Sequence, residues 1–243
     1  MNKLNMFFKK HKFITPIICL LIISTIILLF SPHKSRADKN SNWNNIFKTI
    51  HDNKTKTQLT QEEINTINNL FQQVIPSDQP ESEYMLNPIC SFFTSYYETP
   101  EKMNLERFIE YFPGESSLSD ENPSHIDQFE ALKKLSHFPF KGAKTIESLN
   151  LSINKKTAKS INDSLQKYMG ISLKNLINDG GTLYLEKPYE AFYTLTSDAG
   201  AGYFTCESGE KYGDIIQLFS SKSTLKIQKK GRKYFIISHL EAE

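Results

Sequence analysis

The chain has 243 residues, with 29 Lys/Arg against 27 Asp/Glu and a formal charge of +2. Six of those cations and no acid lie in residues 1–37, so the remainder carries 23 basic against 27 acidic groups, a net of −4. A mildly acidic remainder excludes a basic nucleic-acid face, and three cysteines are too few for a disulfide scaffold in a segment long enough to bury a core without one.

Lys3, Lys9, Lys10 and Lys12 precede "FITPIICLLIISTIILLF", residues 13–30, which holds no charged side chain. At about 1.5 Å per residue such a helix spans about 27 Å, close to a bilayer core. Pro16 is tolerable in a first turn, where its missing N–H has no partner to lose. A cleaved secretory signal is the competing reading, with "SRA" at 35–37 as its site before Asp38. The apolar run is longer than a signal needs, and cleavage after Ala37 would fall beyond Pro32 and Lys34, so length favours an uncleaved anchor. Cys19 follows bulky Ile18 and reads as an apolar group facing lipid. The lysine-rich flank places residues 1–12 in the cytoplasm and the C-terminal part outside the cell, giving a single-pass protein of the cell membrane.

Residues 31–58 read as a polar stalk, with Trp43, Ile46, Phe47 and Ile50 its only apolar cluster. Residues 59–243 read as one extracytoplasmic α+β domain. "TQEE" at 60–63 is a capping box, followed by Ile64, Ile67, Phe71 and Val74 at helical spacing until Pro76. After a loop, "DQPESE", a second helix is expected over "NPICSFFTSYYETP", with Asn87 as cap and Pro88 at its first position. A third, "NLERFIEYFP", starts at Asn104 and ends at Pro113; a fourth, "SHIDQFEALKKL", is capped by Ser124. A fifth covers roughly 154–169, with Gly170 where a left-handed residue is wanted, and Ser172 caps one or two further turns.

At Gly180-Gly181 the apolar period changes to two. "TLYLE", "EAFYTLT", "GYFTC", "DIIQLF", "STLKIQ" and "KYFIISHL" read as short strands, with "KKGRK" as a hairpin turn. Helices first and strands second predict a helical half packed on a C-terminal antiparallel meander.

"SDAGAGYFTCESGE", residues 197–210, looks most like a site. A phosphate-binding loop needs its glycines between a strand and a helix, whereas here they lie between two strands. Cys206 with His239 as base is the one catalytic pair on offer, but Glu207 and Glu210 deny the thiol the positive surroundings that activate it. The alternative places Cys206 half-buried in the sheet, sharing the face of Phe204. A Cys90–Cys206 disulfide is allowed by the compartment and not implied by spacing. No metal is expected: the histidines lack ligand spacing, and Asp198, Glu207, Glu210 and Asp214 read as a solvated rim. No cofactor is expected either. Phe92, Phe93, Phe108 and Phe112 are core candidates, while Tyr96, Tyr97 and Tyr111 are the ligand-binding candidates of a half-wet surface.

"SFFTSYYETPEKMNLERFIEYFP", "YMGISLKNL", "YEAFYTLTSDAG", "GYFTCESGEKYGDIIQLF" and the terminal "FIISHL" together resemble an extracytoplasmic domain of Gram-positive bacteria. In that family the domain follows transmembrane segments, including those of penicillin-sensor-type membrane metallopeptidases. The resemblance covers residues from about 60 to 240 and implies an exported accessory domain. The chain has no zinc-peptidase motif, so the resemblance carries no proteolytic role over. The expectation is therefore a membrane-anchored domain that binds or senses a cell-envelope ligand or a membrane partner, with a Cys206/His239 hydrolase as the alternative.

Overall fold

A computed structural model describes residues 55–76, 84–176, 181–195 and 202–242, all within one compact unit, Lys54–Glu243. The apolar run 13–30, the stalk to residue 54, the "DQPESE" loop and Asp198 lie outside the described residues. No helix among the described residues is long and apolar enough to cross a membrane.

The fold is α+β. Its larger sheet has the order β1-β8-β9-β10-β11, all neighbours antiparallel. Here β8 is Ser208–Tyr212, β9 Ile215–Phe219, β10 Ser223–Lys230 and β11 Lys233–Glu241, so four consecutive strands form the expected meander. The two-residue β1, Thr57–Gln58, comes from the other end of the domain to pair with β8. Gly231 takes φ 63° in the β10–β11 turn, which glycine alone adopts without strain.

Strands also occur in the half expected to be helical. β2 (Val74–Pro76) pairs with β3 (Tyr84–Leu86), and β4 (Ser116–Ser117) joins β5 (Ile153–Thr157). The order β4-β5-β7-β6, with β6 Leu183–Leu185 and β7 Ala191–Leu195, makes a second antiparallel sheet. That sheet is covered on both faces. Phe192 packs into one core, while its neighbours Ala191 and Tyr193 pack into a second core with Ile153, Phe129 and Phe138. Burial on both faces explains why "AFY" lacks a polar alternation.

Among the described residues four α-helices flank the sheets: α1 Gln61–Leu70, α2 Leu105–Tyr111, α3 Pro123–Lys133 and α4 Ala158–Tyr168. The capping box at Thr60 and Glu63 is formed, and Asn104 caps α2 through the Arg107 amide. Other boundaries differ from the expected ones. Helix α1 stops at Leu70, and Val74 is an exposed strand residue, because Phe71 already closes the buried stripe. "NPICSFF" forms a 3-10 helix, Pro88–Phe93, after which the chain leaves helical geometry so that Tyr97 can pair with His239 of β11. The cap of α3 is Asn122, two residues before Ser124, because Pro123 fills the first helical position. Residues 154–157 belong to β5, and Thr157 caps α4 through the Ser160 amide. "GYFTC", expected as a strand, alternates in burial but belongs to no strand, and the strand that pairs there is "SGEKY", β8.

The first core gathers α1, the 3-10 helix, α2 and α4 on the meander, with Phe92, Phe108, Ile161, Leu165, Leu218, Leu225 and Ile227 fully buried. Phe92, Phe93, Phe108 and Phe112 are all core residues.

Candidate functional site

Cys206 and His239 are built into this core from opposite directions. Gly202 lets the "GYFTC" segment lie against the 3-10 helix: a Cβ there would sit 2.7 Å from the Phe93 carbonyl carbon and 3.0 Å from the Cys90 oxygen. The glycine of the motif thus serves close backbone approach. Beyond it the side chains alternate, with Tyr203 and Thr205 exposed and Phe204 and Cys206 each 3% exposed. Asn68 of α1 substitutes for a missing strand partner. Its Oδ1 accepts from the Cys206 amide (2.8 Å) and its Nδ2 donates to the Cys206 carbonyl (3.0 Å).

The thiol donates to the Ser208 carbonyl at 3.2 Å, and burial pushes its pKa up to about 11. His239 Nδ1 donates to the Ser95 carbonyl at 2.9 Å, and burial lowers its pKa below the usual imidazole value. Its ring is packed among Phe93, Tyr96, Tyr97 and Phe204. Among the described residues no hydrogen bond joins the thiol to the imidazole. Cys90 and Cys206 are both free thiols, and burial raises Cys90 likewise to about 11.

The tyrosine candidates do not converge. Tyr97 is 3% exposed and donates to the Phe92 carbonyl; Tyr96 is half exposed over His239; Tyr111 lies on α2 beneath Arg107, 5.0 Å from its ring centroid. The described acids of the expected rim, Glu207, Glu210 and Asp214, are individually engaged. Glu207 accepts from the Ser221 amide, Asp214 from Gln228, and Glu210 from Gln58, Tyr212 and Lys56. No cluster of three or more potential metal ligands occurs among the described residues.

A groove of about 600 Å³ opens where α1, α4 and the β10–β11 hairpin meet. Phe71, Ile89 and Ile236 form its floor, and Leu70, Tyr168 and Tyr234 its walls. The volume lies within the range of small-ligand sites, and Leu70 is 42% exposed at its edge. Lys167, Arg232 and Lys233 stand at the lip with a single carboxylate, Asp163, which Lys159 already engages at 2.5 Å. None of the three lip cations has an ion-pair partner among the described residues. A shallower depression shares Phe71 and continues this surface past Val74 and Tyr203, which are 53% and 55% exposed.

Sequence reasoning passed over this site. "KKGRK" signalled only a turn, and nothing in it shows that its cations would stand beside the end of α1. The available signal was charge: Lys226, Lys229, Lys230, Arg232 and Lys233 crowd one hairpin of an otherwise acidic segment. Compared with protein-family models, curated proteins and solved structures, the chain gives no match.

Proposed function

We propose that the chain is a membrane-anchored extracytoplasmic domain of the family it resembles, which binds a cell-envelope ligand or membrane partner without catalysis. The observation that carries this reading is the groove: an apolar cleft with exposed Leu70 at its edge, bordered by three cations that have no ion-pair partner among the described residues. Apolar floors with a few polar groups at one end are the usual build of ligand sites. The Cys206/His239 hydrolase has no comparable support, since each group is occupied by a backbone carbonyl.

Two measurements test the reading. Protease added to intact wall-stripped cells should digest the domain from about residue 40 onward; protection would refute the topology, and a released fragment beginning at Asp38 would indicate a cleaved signal. Binding to isolated envelope fractions should fall in an Arg232→Gln, Lys233→Gln variant and persist in Cys206→Ser. Loss in the cysteine variant alone would move the hydrolase ahead.

A further inference from the structure

We infer that the groove seats an anionic phospholipid of the adjacent bilayer, its phosphate on Lys167, Arg232 and Lys233 and its first acyl carbons on the Phe71–Ile89–Ile236 floor. This deepens the binding reading above and rests on it. The open apolar rim decides against a bare polyanion or a polar glycan, either of which would leave Leu70, 42% exposed, and the half-buried rings of Tyr168 and Tyr234 uncovered. The lip decides against a neutral apolar ligand, because Lys167, Arg232 and Lys233, which have no ion-pair partner among the described residues, favour an anionic headgroup.

A third feature extends the argument along the same face. Lys167 lies 4.6 Å from the Tyr168 ring centroid, Lys229 5.8 Å from Tyr234 and Lys222 5.5 Å from Tyr203. Tyr168 and Tyr234 wall the groove, and Tyr203 lines the depression that shares Phe71. Tyrosine with a lysine beside it suits a membrane interface: the ring takes the acyl–headgroup boundary and the ammonium reaches the phosphates. Lysines on the hairpin also blunt the open edge of β11. Edge protection does not account for the apolar floor, nor for Lys167, which comes from α4.

The test uses the full chain reconstituted in phosphatidylcholine vesicles, with and without phosphatidylglycerol, at physiological ionic strength. Amine acetylation rates of individual lysines are read by mass spectrometry. Phosphatidylglycerol should slow Lys167 and Lys233 at least about fivefold, while Lys134 and Lys144, exposed on the side of the second core, keep their rates. Arg232→Gln should reduce the protection about fivefold, as expected for one surface cation near anionic lipid. Leu70→Gln, a change at an already exposed position, should reduce it as well. Uniform slowing of all lysines overturns the inference in favour of general surface attraction. Equal protection by inorganic phosphate or by a polyglutamate peptide overturns it in favour of a bare anion site or an acidic peptide. Protection by a soluble envelope fragment but not by phosphatidylglycerol overturns the lipid and leaves the binding reading intact; protection by none of these overturns both.

Discussion

Lys156 offers the sharpest check on the energetics of this fold. It projects from β5 to the C-terminal end of α2, where Nζ donates to the carbonyls of Ile109 (2.5 Å) and Glu110 (3.0 Å). Those carbonyls end a helix, so a cation there meets the negative pole of the helix dipole. The side chain is nevertheless only 2% exposed, and loss of hydration lowers its pKa from 10.5 to about 8. Burial therefore outweighs the dipole and the two carbonyls. A lysine depressed in the folded state carries its full penalty below the folded value, and sheds it as pH rises toward the unfolded value. At 1.36 kcal/mol per pH unit the gap corresponds to about 3 kcal/mol, of which about 1.5 kcal/mol is recovered between pH 8 and 9.5. The buried tyrosines Tyr97 and Tyr193 have raised pKa values and act in the opposite direction, losing stability as pH passes 10, so the window stops short of them. The buried thiols of Cys90 and Cys206, raised to about 11, also oppose Lys156 inside the window, so urea unfolding in mild detergent is read as the difference between the wild-type chain and Lys156→Met. That difference should shift in favour of the wild-type chain by about 1.5 kcal/mol from pH 8 to 9.5, while in the variant the Ile109 and Glu110 carbonyls lack their donor at every pH. Identical pH slopes in the two proteins would show that Lys156 is buried charged at no cost, and would refute the reasoning.

Gly202→Ala should destabilise by about 2–3 kcal/mol in the same assay, because its Cβ meets the backbone of Phe93 at 2.7 Å and backbone cannot rotate away. Asn68→Ala should cost about 2 kcal/mol, since it strips partners from both the amide and the carbonyl of buried Cys206. Cys206 in the folded protein should alkylate about a hundredfold more slowly near neutral pH than in urea, as a thiol raised to about 11 forms little thiolate; rapid labelling suppressed by His239→Ala would contradict its structural role.

What the sequence made legible follows from which signals are local. The Thr60–Glu63 box, the Asn104 cap and the turn at Gly231 each depend on residues within one turn of chain, and each is formed. The alternation of Tyr203, Phe204, Thr205 and Cys206 also held, although no strand pairs with it, because alternation requires only an extended backbone. The misplaced elements depend on distant partners. "NPICSFFTSYY" has the apolar spacing of a helix, yet Tyr97 exchanges both backbone hydrogen bonds with His239 across 142 residues, and that pairing unwinds the segment after Phe93. "INKKT" reads as the first turn of α4 until Ser116 and Phe192 are seen on either side of it as strand partners.

The same distinction explains why the candidate site moved. Cys206 and His239 attract attention because their side chains can do chemistry, but both sit at joints where irregular segments cross the meander. At such joints the backbone lacks regular partners, and short polar side chains supply them: Asn68 for Cys206, and the His239 imidazole for the Ser95 carbonyl. The groove, by contrast, is assembled from α1, α4 and a hairpin about 160 residues from α1, using leucine, isoleucine, tyrosine and lysine. None of these residue types signals a site alone. Their meaning comes from exposure, and exposure of Leu70 beside Arg232 is a property of the folded surface, not of any stretch of sequence.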